Sequence, residues 1–170
     1  MRAGYGKYEL TPPMGVELAG FGYYLERRAQ TVIDPLFARA VILETENTKS
    51  LLISCEVLGL SREVCADVFK HAEKYGIAPE NVIIVSVHTH TGPTIIYHEG
   101  TGAVDPDYVA TVAGRIANSI DAAAADMAKV TALSHMTAPL PGDYIYNRAD
   151  PENGPVKDVT RTDEEIAQNV

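Results

Sequence analysis

The 170-residue sequence predicts an α/β domain in which a β-hairpin leads into a β-α-β-α-β order, with helices packed on a mixed sheet. Three observations carry that prediction. Apolar residues run almost unbroken through 38–46 and 51–57. The apolar period then changes between strand-like and helical spacing along the rest of the chain. Turn and cap residues stand where it changes. Strands that alternate with helices in this way build a sheet that is at least partly parallel.

ARAVILETE (38–46) and LLISCEV (51–57) are rich in β-branched and large apolar residues, and Asn47-Thr48-Lys49-Ser50 joins them as a hairpin. Their near-continuous apolar character predicts that both faces of these strands are covered. In SREVCADVFKHAEKYG, Val64, Cys65, Val68, Phe69 and Ala72 fall on one helical stripe. Ser61 caps its start, Glu63 suits its positive end, and Lys74 with Gly76 marks its finish. VIIVSV is the next strand. Asp105-Pro106 then offers an N-cap and an N1 proline to a helix of about six turns, along which Val109, Val112, Ala113, Ile116, Ile120 and Met127 repeat. KVTALSHMTA (129–138) alternates as a strand again. From Pro139 onward there are four prolines and no sustained apolar period. The chain therefore divides into an α/β domain at 1–140 and an extended C-terminal segment at 141–170, unusual for its length in a compact domain.

Hydrophobic residues make up 46% and charged residues 22%, which fits a globular chain rather than a disordered one. The net charge of −9, with no basic cluster larger than Arg27-Arg28, argues against nucleic acid as a partner. The longest apolar stretches, VIIVSV and AAAADMA, fall far short of the roughly 20 residues of a transmembrane helix. MRAGYGKYELTPP lacks the apolar core of a signal peptide, so a cytoplasmic location is expected. Cys55 and Cys65 form neither a disulfide framework nor a common zinc motif, and Cys65 is expected as a buried free thiol.

The chemistry concentrates in VSVHTHTGPT (85–94). Residues i and i+2 of a strand share a face, which makes His88 and His90 neighbours. They stand at the carboxyl end of their strand, where open α/β sheets place ligands. Both imidazoles can reach one zinc ion, or one binds metal while the other hydrogen-bonds to a substrate. A catalytic zinc takes three protein ligands and keeps an open position. His98 and Glu99 are near in sequence but read as exposed loop residues, and His71 and His135 read as structural.

The same stretch resembles the His-Thr-His-Ser-Gly-Pro signature of the neutral/alkaline non-lysosomal ceramidases, with Thr91 where that family usually has serine. ELTPPMGVELAGFG (9–22) resembles the family's opening Thr-Pro-Pro and Gly-Tyr/Phe-Gly segment. IDPLFARAVIL (33–43) is similar to its Asp-Pro-Leu-Tyr-Ala-Arg-Ala strand, and YNRAD (146–150) to its Asn-Arg-Arg motif. These landmarks follow the family's order.

The resemblance implies a zinc-dependent amidohydrolase that cleaves an N-acyl amide such as ceramide into fatty acid and sphingoid base, with zinc as Lewis acid and activator of the nucleophile. Carried over by motif, His88 is a zinc ligand. His90 and Arg148 are catalytic polar groups facing the substrate and its developing oxyanion, and Gly92 and Asn147 contact the substrate. Arg148 suits that place because its planar fork is always charged. Read without the family, it serves equally well in a surface ion pair with Asp150. Asn147-Arg148-Ala149 also lacks the family's second arginine.

The family's other zinc ligands and its nucleophilic serine lie further downstream, so no nucleophile is expected in this chain. The chain is then expected to be the first half of a larger two-part catalytic domain that holds Zn2+ weakly by itself. Its partners would be a small-molecule or lipid amide substrate, and either a second copy in a homo-oligomer or the missing half. The alternative is a non-catalytic α/β binding or assembly domain on the same scaffold. A zinc hydrolase acting on another amide or ester is a third reading.

Overall fold

The computed structural model describes residues 1–139; the expected extended segment at 141–170, with Asn147 and Arg148, lies outside them. Its first strand, β1 (Arg2–Glu9), is one that the sequence pattern does not announce. Gly4 and Gly6 depress strand propensity in RAGYGKYE, yet they are what brings a helix down onto the sheet. A Cβ on Gly6 would meet the backbone of α2 (Pro106–Ala125) at Ser119 and Ala123, and the Ala122 Cβ at 2.7 Å. A Cβ on Gly4 would meet the Ala123 carbonyl. Helix backbone therefore rests directly on strand backbone.

β2 (Phe37–Glu44) and β3 (Lys49–Cys55) form the expected hairpin, α1 (Arg62–Ala72) crosses over, and β4 (Val82–Ser86) returns parallel to β3. With β5 (Ala128–Lys129) the mixed sheet has the order β4-β3-β2-β1-β5, all other pairs being antiparallel. The expected caps are in place. Ser61 Oγ accepts from the Val64 N–H at 3.2 Å, and Asp105 Oδ1 from the Tyr108 N–H at 2.8 Å. A 3₁₀ turn at Glu73–Tyr75 ends α1, and Gly76 follows at φ 71°, a left-handed value that costs glycine nothing.

The core lies between the sheet and the two helices. Ala38, Ala40 and Ile42 of β2 and Leu51, Ile53 and Cys55 of β3 meet Val64, Val68 and Ala72 of α1 and Val112, Ile116 and Ile120 of α2. Each fully buried Val, Leu or Ile contributes roughly 1.5–3 kcal/mol. Burial pushes the Cys55 thiol up to about 12, so it is inert packing. Between the helices, His71 Nε2 and Tyr75 Oη both reach Asp121 Oδ1, at 2.5 and 2.6 Å. Burial alone would raise the Asp121 carboxyl, but the bonds from Tyr75 and His71 outweigh it and hold its pKa below the usual range. His71 is structural, as read from the sequence.

Three expectations need correction. Among the described residues the strands are covered on one face only. On the other face Tyr5, Val41, Leu52 and Ile83 stand in register across four strands. Leu52 is 42% exposed, Ile83 58%, and Val85 and Val87 are exposed as well. Continuous apolar runs imply two apolar faces; they do not supply the layer that covers the second. Next, the strand expected at 129–138 is confined to Ala128–Lys129. Val130 N donates to the Met1 carbonyl, and the pairing with β1 is limited to Arg2 opposite Lys129 and Ala3 opposite Ala128, so alternation alone does not make KVTALSHMTA a strand. Finally, Cys65 is half-buried rather than buried, because it lies at the margin of the α1 stripe. Among the described residues no helix is long and apolar enough to cross a membrane.

Candidate active site

β4 stops at Ser86, so His88 and His90 do not share a strand face as expected. The chain stays pinned to the end of β3 and the segment after it by bonds from Val87 N to the Cys55 carbonyl (2.9 Å) and from His88 N to the Val57 carbonyl (3.1 Å). At His88 it turns through φ 64°, the left-handed region that a non-glycine residue enters at a cost. The turn brings the imidazoles together by another route: their ring centroids are 5.0 Å apart at 62°.

Backbone partners fix what each ring can do. His88 Nδ1 lies 2.9 Å from the Leu58 carbonyl oxygen. A carbonyl only accepts, so Nδ1 carries the proton and the exposed ring presents an Nε2 lone pair. His90 Nδ1 accepts from the Phe21 N–H at 3.4 Å. A backbone N–H only donates, so neutral His90 carries its proton on Nε2. Their Nδ1 partners hold the pair in opposite tautomers.

The residues that arrange this come from the 9–22 landmark, to which the sequence reading gave no role at the site, and from Arg27 just after it. Leu18 bridges to Pro93, and Ala19 N donates to the Gly92 carbonyl at 2.9 Å. Gly20, at φ 101°, packs so closely on His90 that a Cβ would lie 2.7 Å from the imidazole Cγ. The Phe21 ring meets the His90 ring edge-on at 5.3 Å. Arg27 is 3% exposed, and its Nη2 donates to the Ala19 carbonyl at 2.5 Å and the His90 carbonyl at 2.6 Å. Nothing in the sequence marks Arg27, since arginine is rarely buried and both acceptors are main chain.

Gly92 is buried with its carbonyl taken by Ala19, so it shapes the loop behind the histidines. His98 and Glu99 are exposed, as expected. A cavity of about 560 Å³ lies beside the loop, lined by Phe37, Arg39, Glu56, Val87, Thr89 and Thr91 among others. It takes the alternate loop residues 87, 89 and 91, whereas His88 and His90 find their partners at Leu58 and Phe21. Within it Arg39 pairs with Glu56, which raises the Arg39 guanidinium further, and Glu56 also accepts from the Phe37 N–H at 2.7 Å.

Among the described residues no group of three or more His, Cys, Asp or Glu side chains is placed to hold a metal ion. The donor chemistry of one ligand is present. A histidine whose Nδ1–H is anchored on a carbonyl while Nε2 is open has the outer-sphere arrangement common to metal-bound imidazoles. The described residues thus fit one ligand of a zinc site and not a complete one.

No protein-family model matches the sequence, and no curated protein matches it. Solved structures do. The crystal structure of neutral ceramidase from Pseudomonas aeruginosa is similar over 74% of this chain, with a TM-score of 0.62 and 23% identity. The matched part is 22% of that chain. A second structure, a ceramidase complexed with C2, is similar over 74% of this chain at a TM-score of 0.58 and 21% identity, covering 21% of its own chain. The α/β unit described here therefore has a neutral ceramidase-like fold and corresponds to part of a larger ceramidase.

Proposed function

We propose that this chain is the histidine-bearing part of a zinc-dependent hydrolase of N-acyl amides, with ceramide-like lipids among its substrates. The observation that carries the reading is the pair of opposed tautomers on a ceramidase-like fold. His88 Nε2 is the ligand this chain offers. Bound zinc would polarise the amide carbonyl and help generate a nucleophile at neutral pH. His90 is assigned to the substrate side of the site. Arg148 is assigned to the oxyanion, with Asn147 beside it, and Gly92 holds the loop on which both histidines stand.

The remaining ligands and the nucleophile come from outside the described residues, which correspond to 22% of the ceramidase chain. The α/β unit at 1–140 and the segment from 141 onward form this part. The open sheet face is where the completing part seats, a second copy for the chain on its own. A sheet face that leaves Ile83, Val85 and Val87 about half exposed favours association.

Zinc per chain, measured by elemental analysis on protein purified without chelators, tests the reading alongside the mass from light scattering. About one zinc per chain in an oligomer, with hydrolysis of N-acyl substrates that follows the metal content, is the expected result. The monodisperse monomer is expected to show no amidase activity. Protein that takes up no zinc even when it is supplied would leave the second reading, a non-catalytic scaffold.

A further inference from the structure

We infer that Arg27 is a positioning residue: its buried guanidinium locks the turn at 19–21 onto the loop at 88–92, and so decides which nitrogen of His90 carries the proton. The chemical consequence rests on the proposed hydrolase; the geometry does not.

Burying a cation costs several kcal/mol unless its donors are used. Burial indeed lowers the Arg27 pKa, partly offset by Tyr24. What the buried charge secures is specific. One nitrogen, Nη2, bridges carbonyls of two segments far apart in sequence, Ala19 at 2.5 Å and His90 at 2.6 Å. The Phe21 ring lies over the guanidinium at 5.1 Å. That seat holds the Phe21 amide where its N–H reaches His90 Nδ1. Gly20 completes the arrangement, since at φ 101° and without a Cβ it lets the His90 side chain close against the turn. Arg27 thus touches the turn at Ala19 and Phe21 and the loop at His90.

Lysine keeps the charge but not the planar fork, and its ammonium cannot reproduce the same bridge. Metal-free protein is compared with Arg27→Lys and Arg27→Gln by ¹⁵N NMR of the histidine rings at alkaline pH, where imidazole is neutral. Hydrogen exchange at the Phe21 amide is followed in parallel. In the parent protein His90 is expected as the Nε2–H tautomer with a protected Phe21 amide, and His88 as Nδ1–H. In either folded variant the His90 signals are expected to move away from the parent Nε2–H pattern. Protection at Phe21 is expected to fall at least about tenfold, roughly what a contribution of 1.4 kcal/mol corresponds to. His88, held by Leu58, serves as the internal reference and should keep its tautomer.

A folded variant with His90 and Phe21 unchanged overturns the inference. Failure of both variants to fold overturns it too, because the guanidinium then serves the fold and not the ring. Neither readout involves zinc or substrate, so a chain that binds no metal can still confirm the role of Arg27, and a zinc-loaded chain can still refute it.

Discussion

Gly6→Ala is expected to destabilise the fold by about 3 kcal/mol or more, at the upper end of what overpacking costs. The added methyl has no flexible side chain to push aside. It points into the α2 backbone at Ser119 and Ala123, with the Ala122 Cβ at 2.7 Å, so either the helix lifts from β1 or the strand bends. Lifting α2 also opens the packing of Val112, Ile116 and Ile120. In a chain of this length the melting temperature should fall by roughly 6–12 °C. Gly114 provides the control, because nothing lies within 4 Å of a Cβ built there. Gly114→Ala in the same helix should stabilise by about 0.5–1 kcal/mol through helix propensity alone. Thermal and urea unfolding of both variants decides the matter, and an unchanged midpoint for Gly6→Ala would sink the direct helix-on-strand contact.

The second large effect is expected at His88, where function and stability should part. Replacing the imidazole by Ala or Gly removes the Nε2 lone pair and the bond to Leu58 equally. Zinc affinity should drop by more than about 100-fold in both, beyond what loss of a mere outer-sphere partner costs. The two variants should nevertheless differ in stability. At φ 64° an alanine is strained and a glycine is not, so His88→Gly should be the more stable by about 1 kcal/mol. Competition with a chelator of known affinity measures the first effect, and denaturant unfolding measures the second. Undiminished zinc binding in His88→Gly would move the ligand elsewhere. Equal stabilities would mean that the backbone at 88 carries no strain.

What could be read from the sequence was local. Ser61 and Asp105 cap helices within three residues of themselves, and the 38–57 hairpin folds on its neighbour, so pattern and structure agree there. β1 was hidden because Gly4 and Gly6 answer to a helix more than a hundred residues away. The open sheet face was equally hidden, since Leu52, Ile83 and Val85 look the same in sequence with or without a second layer. The adjacency of His88 and His90 was legible, but its cause was not. A strand pleat and a left-handed turn both bring residues two apart together, and only the turn places His88 Nδ1 on Leu58. Arg27 left no trace because main-chain carbonyls have no sequence.

The bare side of the sheet also has a calorimetric consequence. Apolar surface that stays wet in the folded chain is not newly hydrated when the chain unfolds. The heat-capacity increment of unfolding for dilute chain should therefore fall below the usual ~12–15 cal/mol/K per residue. A partner that docks over Leu52, Ile83, Val85 and Val87 should return the deficit as a negative heat-capacity change. Titration calorimetry at several temperatures would then weigh any layer that docks on this face.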